Sequence, residues 1–139
     1  MNKLEHFLHA QASVWPEVVR ELGDGLKTSH WSWYVFPQLT GLGTSANSQR
    51  YAITDLEHAR AYLAHPLLTS RLREVIRLVC SHRRLTAEDI LGQDAGRFQS
   101  CLTLFAQAAP DDLLFPQALA QFYAGRPCTR TLRMLREAR

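Results

Sequence analysis

The residues whose types and spacing point to chemistry lie between positions 27 and 51. Trp31, Trp33, Tyr34 and Phe36 form one aromatic run, directly after His30 and before Pro37-Gln38. A loop from Gln38 to Ser45 follows, with Gly41-Leu42-Gly43-Thr44-Ser45, and leads into a short predicted helix from Ala46 to Tyr51 that carries Arg50. Aromatic walls take up a flat ring by stacking or burial. A glycine-bearing loop that opens a helix offers backbone N–H groups to phosphate or carboxylate. An arginine adds a bidentate clamp, and a histidine changes charge near neutral pH.

His30, Trp33, Gln38, Ser45, Arg50 and Tyr51 are therefore the expected ligand-binding residues. The expectation is that Gly41 and Gly43 fold the loop back so that all six meet at one pocket, with help from Tyr62 and His65. The ligand such a site suits is small and nucleotide-like or phosphate-bearing. The alternative reading makes the aromatics core and the glycines a turn, in a protein-interaction or regulatory module with no small-molecule site.

The sequence names no catalytic residue and no cofactor. A general acid is a carboxyl group of raised pKa or a histidine, and His30 alone stands beside the motif. His6 and His9 have a chelating spacing but no third ligand, so no metal site is expected. Cys101 falls on an apolar stripe and reads as packing, while Ser100 and Thr103 read as buried hydroxyls bonded to helix carbonyls. His65 precedes Pro66 and reads as a helix cap, whereas His58 and His82 read as exposed helix positions.

The elements that must position these residues follow from periodicity and capping. Leu4 to Gln11 and Val14 to Leu22 each carry apolar residues at helical spacing, with Pro16 at a first-turn position of the second and Gly23 and Gly25 ending it. Trp31 to Phe36 is aromatic and β-branched and suits a short strand, but the reading preferred is a helical turn or short helix, because it follows Thr28-Ser29, which are able to cap. Thr54-Asp55-Leu56-Glu57 has the form of a capping box and opens a helix to about Ala64. Pro66 begins the longest helix, to about His82, with Leu68, Leu72, Val75, Ile76 and Val79 as its buried stripe. Thr86 opens a short helix closed by Gly92, and Asp94 is placed to cap the next, Ala95 to Ala108. Asp111 or Asp112 caps a helix over Leu114 to Tyr123, and the last runs from Thr129 to Glu137. The expectation is an all-α single domain over residues 1–139, of about seven short-to-medium helices.

Composition sets the bounds. The chain has 139 residues, 46% hydrophobic and 21% charged, an ordinary globular mix that excludes disordered and fibrous classes. No apolar run approaches the roughly 20 residues of a membrane span. The start, Met-Asn-Lys-Leu-Glu-His, does not read as a signal peptide, and the three separated cysteines, Cys80, Cys101 and Cys128, read as free thiols. The expected location is the cytoplasm, with no membrane partner. Sixteen Lys+Arg against 13 Asp+Glu give a net charge of +3, too small to argue for nucleic acid. Arg130, Arg133, Arg136 and Arg139 fan over about half of their helix rather than forming one line, which reads as a solvated, ion-paired face.

The run Ser29-His30-Trp31-Ser32-Trp33-Tyr34-Val35-Phe36-Pro37-Gln38-Leu39 resembles the signature of a small bacterial family, domain of unknown function 1810, whose members are sometimes mislabelled calpastatin. Gly41 to Ser45, Gln49 to Ile53, Ala59 to Pro66 and Thr103 to Phe105 extend the resemblance over roughly residues 4 to 136. It implies a compact all-α domain of seven or so helices, soluble and cytosolic, and no established activity, cofactor or catalytic residue. The chain departs from the family pattern at Ser32, Thr69-Ser70, Cys101-Leu102 and Cys128. Cys128, in place of a capping Asp, is expected to weaken the last helix by about 1 kcal/mol.

Overall fold

The computed structural model describes residues 3–137 and is all-α, with no named strand among them. The helices are α1 (Glu5–Asp24), α2 (Ser32–Val35), α3 (Ala46–Arg50), α4 (Leu56–Ala64), α5 (Pro66–Cys80), α6 (Ala87–Leu91), α7 (Ala95–Ala108), α8 (Leu114–Tyr123) and α9 (Thr129–Glu137). A 3₁₀ turn, Gly92–Asp94, joins α6 to α7. None of the helices is long and apolar enough to cross a membrane.

The architecture is organised around α7. Its stretch from Ser100 to Phe105 is buried on all sides, and it packs against α4, α6, α8 and α9. A helix buried all round must satisfy its polar side chains internally. Ser100 Oγ donates to the Gly96 carbonyl at 3.1 Å and Thr103 Oγ1 to the Gln99 carbonyl at 2.8 Å, as the sequence predicts. The apolar cluster around α7 extends from Phe7 in α1 to Leu135 in α9. α1 lies across α5 and α2, so its last turn faces the loop that enters α2.

Four local expectations are corrected. The two predicted segments form one helix, Glu5–Asp24, with Pro16 inside it. Pro16 and Ala12, whose carbonyl loses its helical donor, are both exposed, so the missing bond falls on the solvent side of the helix rather than in the core. The cap of α4 is Asp55 rather than Thr54: the Asp55 carboxylate accepts the His58 N–H at 2.8 Å. His58 is buried, because its ring accepts the Thr54 N–H through Nδ1 at 3.0 Å and reaches the Lys3 carbonyl through Nε2 at 3.1 Å. His82 is half-buried, with Nε2 2.7 Å from the Leu22 carbonyl at the end of α1.

Other signals translate directly. Thr86 and Asp89 form a reciprocal capping box on α6. His65 caps α5 by accepting from the Leu67 and Leu68 amides. Cys80, Cys101 and Cys128 are free thiols.

Candidate functional site

The loop between α1 and α2 is shaped by one buried carboxylate. Glu21 Oε1 accepts the Thr28 and Ser29 amides at 2.7 and 2.9 Å and the Trp31 indole N–H at 3.1 Å. Thr28 and Ser29 thus give their amides to Glu21, and neither caps α2, which begins without a side-chain cap. Burial of Glu21 disfavours its charge, but these hydrogen bonds outweigh it and hold the pKa down at about 2. The other oxygen, Oε2, is buried without a hydrogen-bond partner among the described residues. Trp31 is wholly buried and packs on Phe36.

Lys27 closes the loop onto the far side of the molecule. Its amide donates to the Ile90 carbonyl at 2.8 Å, tying the loop to α6. Its side chain is only 7% exposed, with the ammonium over the Trp31 ring at 5.0 Å and 2.9 Å from Asp94 Oδ2. A second Lys27 N–H goes to the Ser29 carbonyl. Ser32 Oγ donates to the same Asp94 oxygen at 2.7 Å.

Asp94 therefore does not cap α7 with its side chain, as its position in sequence predicts. Charge-assisted bonds from an ammonium and a buried hydroxyl are stronger than a bond to a helix-end amide. Burial raises the Asp94 pKa, but the hydrogen bonds from Lys27 and Ser32 and the charges of Lys27 and Arg97 bring it below the usual carboxylate value.

The two segments border a cleft of about 380 Å³. Lys27 to His30, Ser32 and Trp33 line one side, and Leu91 to Asp94 the other. Trp33 is half-buried, and its indole N–H makes no hydrogen bond among the described residues; His30 is exposed. Gly92 turns the second wall at φ 60°, ψ −127°, a backbone region closed to side chains.

A polar chain continues from Asp94 to the glycine loop. Arg97, one turn along α7, donates to Ser48 Oγ at 3.0 Å. Ser45 caps α3, taking the Ser48 amide at 3.1 Å and giving its hydroxyl to Ser48 Oγ at 3.0 Å. A Cβ on Gly43 would stand 2.5 Å from Ser48 Oγ and 3.2 Å from Gln38 Nε2, so the loop needs glycine there. The loop is shut at its base, where Ile53 donates to the Gln38 carbonyl at 2.9 Å and Thr40 to the Ile53 carbonyl at 2.8 Å.

The six expected residues thus fall into three places. His30 and Trp33 line the cleft. Gln38 and Ser45 are in the glycine loop: Gln38 is buried at its base, and Ser45 is joined through Ser48 to Arg97. Arg50 lies over the Tyr51 ring at 5.6 Å, and Tyr51 stacks on His6 and meets Tyr34 edge-on. No hydrogen bond, ion pair or ring contact among the described residues joins Arg50 or Tyr51 to His30 or Trp33. Tyr62 is core, with its hydroxyl accepting from Gln11, and His65 is occupied as a cap.

Lys27, Ser32, Asp94 and Arg97 were not among the expected site residues. One signal was available: Lys27 is one of two lysines in a chain whose other cations are arginines. Asp94 is remote in sequence and reads locally as a cap. Among the described residues no group of three His, Cys, Asp or Glu is arranged to hold a metal.

Among curated proteins none matches this chain. The chain is similar to a solved structure, the conserved hypothetical protein Rv1873 from Mycobacterium tuberculosis. The two share 44% identity, with 96% of each chain covered and a TM-score of 0.94. Residues 1–135 match the protein family of unknown function DUF1810, and the resemblance carried by the Ser29–Leu39 run is thereby established: this chain is a member of DUF1810.

Proposed function

We propose that the chain binds a small nucleotide-like molecule, one that joins a flat ring to a phosphate or similar anion, in the cleft between residues 27–33 and 91–94. The observation that carries this reading is the Lys27 ammonium, all but withdrawn from water yet on the wall of an open cleft beside a half-buried indole. Burying an ammonium is costly unless it is paired. Asp94 and the Ser29 carbonyl take two of its three N–H groups, and the third has no hydrogen-bond partner among the described residues. Trp33 supplies a ring face and an unused N–H donor, and His30 supplies a second polar group at the rim. Ser45, Ser48 and Arg97 form a hydrogen-bonded chain next to Asp94, and the charge of Arg97 acts on that carboxylate. Arg50 and Tyr51 form the outer support of α2 through Tyr34.

A thermal-shift panel of nucleotides, nucleosides and inorganic phosphate tests this. A ligand at about a hundred times its Kd adds about 2.7 kcal/mol to the native state, a shift of several degrees for a chain of this size. The expected result is a shift for nucleotides that Trp33→Ala and His30→Ala reduce. Equal shifts in wild type and both variants, or none across the panel, contradict the reading.

The complete burial of Trp31 and Phe36 favours a second reading, in which the aromatic run is scaffold and the chain acts through its surface. A silent panel supports that alternative.

A further inference from the structure

A second concavity is separate from the cleft just described and shares no lining residue with it. Two adjoining hollows of about 900 and 550 Å³ run between α5 and α8. They have Arg77, Leu114 and Gln117 in common and so form one groove. Its floor is apolar and low: Ala108, Ala109, Leu114 and Ala118, with Leu113 two-thirds exposed at one end. Small side chains on the floor leave the depth unfilled.

The two walls differ in chemistry. Arg73 and Arg77, one helical turn apart on α5, and Arg83 beyond its end make a row of guanidinium groups. Gln117 and Gln121, one turn apart on α8, face them. Arg73 is matched by Asp112, which also accepts the Leu114 amide at 3.1 Å, and Gln121 is fixed by a bond to the Cys80 carbonyl at 2.9 Å. Arg77 and Arg83 make no ion pair among the described residues, and the Gln117 side chain makes no hydrogen bond there. The anchored residues give the groove a defined shape, and the unmatched ones give it unmet demand for acceptors. Asp111, exposed at one end, is the remaining acid on its lining.

We infer that this groove docks a short acidic, amphipathic segment of a partner protein. Its carboxylates would meet Arg77 and Arg83, its backbone or amide groups Gln117, and an apolar side chain Leu113, Leu114 and Ala118. Arginine suits this role because its planar fork binds a carboxylate in two places. An open groove with an apolar floor and a charged rim is the shape of a helix- or strand-recognition site rather than of an enclosed metabolite pocket. The inference does not depend on the Lys27 cleft being a ligand site.

The test uses the full chain and a fluorescent peptide with glutamates at one-turn spacing along one edge and leucines on the adjoining face. A lysine-for-glutamate version of the same peptide serves as the counter-probe. Fluorescence anisotropy should show binding of the acidic peptide, weakened by salt, and little binding of the basic one. Arg77→Glu with Arg83→Glu, both at exposed positions, should weaken the acidic peptide about tenfold or more and raise affinity for the basic peptide. A circular dichroism melt matching wild type shows that the variant is folded. No binding of the acidic peptide by wild type, or equal binding by wild type and variant, overturns the inference. Displacement of the peptide by random RNA at lower concentration than by unlabelled peptide also overturns it, in favour of nucleic acid.

Discussion

The Lys27 ammonium and the Asp94 carboxylate, on two residues that line the cleft, meet at 2.9 Å and are unequally exposed, at 7% and 31%. Removing either partner therefore has a different cost. Asp94→Ala leaves a cation in a nearly dry site and should destabilise the fold by about 3 kcal/mol. Lys27→Met leaves a carboxylate that water, Ser32 and Arg97 still reach, and should cost about 1 kcal/mol. Urea unfolding of both single variants and the double variant measures the asymmetry; equal costs would show that the pair is solvated alike at both ends.

Acid stability should report Glu21. Its pKa is depressed from an ordinary value of 4.5 to about 2, so its charged form stabilises the native state. That contribution is fully present above pH 4.5 and is lost as pH falls towards 2. The shift corresponds to about 3 kcal/mol. Glu21→Gln should lower stability at pH 7 and flatten the loss between pH 4.5 and 2. A variant whose acid profile parallels wild type would remove Glu21 as the cause.

Gly43→Ala should destabilise the protein by about 1–3 kcal/mol through overpacking against Ser48. Ser48 is buried and holds Arg97, so the side chain in the way has little room to retreat. A melting temperature at or above that of wild type would show that the glycine loop yields without disturbing the α3–α7 contact.

The three thiols should differ in reactivity. Burial raises the Cys101 and Cys80 pKa values, with Arg83 partly opposing it at Cys80. At Cys128 burial is outweighed by the polar groups around the sulfur, Ser100 and the first residues of α9, and the pKa is lowered. Alkylation of the native protein followed by mass spectrometry should label Cys128 first and Cys101 last. The sulfur accepts from Ser100 Oγ at 3.3 Å, and the Cys128 amide donates to Thr103 Oγ1 at 2.8 Å, so the residue is tied to α7 where the sequence suggested a weakened cap. Cys128→Ala should therefore lower stability; an unchanged melting temperature would show that the sulfur contributes nothing there.

What the sequence reveals is what is local. The capping box at Thr86–Asp89, the boundaries of α7 at Asp94 and Ala109, and the cap at His65 before Pro66 all depend on residues within one turn of each other. Pro16 misleads because a proline reads as a helix start, and only the exposure of Ala12 and Pro16 shows why the helix runs through it. Asp94 misleads for a similar reason. Its local environment asks for a cap, while Lys27 and Ser32, more than sixty residues away in sequence, supply stronger donors. The aromatic run was visible as a unit, but α2 divides it. Trp31 and Phe36 go to the core, Trp33 to the cleft and Tyr34 to Tyr51. No spacing rule separates adjacent aromatics in a single helical turn whose flanks are irregular.

The most direct measurement is nuclear magnetic resonance of the three tryptophan indole N–H groups during titration with adenosine monophosphate. Trp31 is buried against Glu21, and Trp15 lies on α1 bonded to Glu74. Trp33 alone among them lines the cleft. Binding in the cleft predicts a progressive, saturable shift of the Trp33 indole and of backbone amides at 27–33 and 91–94, with Trp15 unmoved. A saturable shift centred elsewhere, or no shift in these residues at millimolar nucleotide where weak binding would already register, contradicts the account.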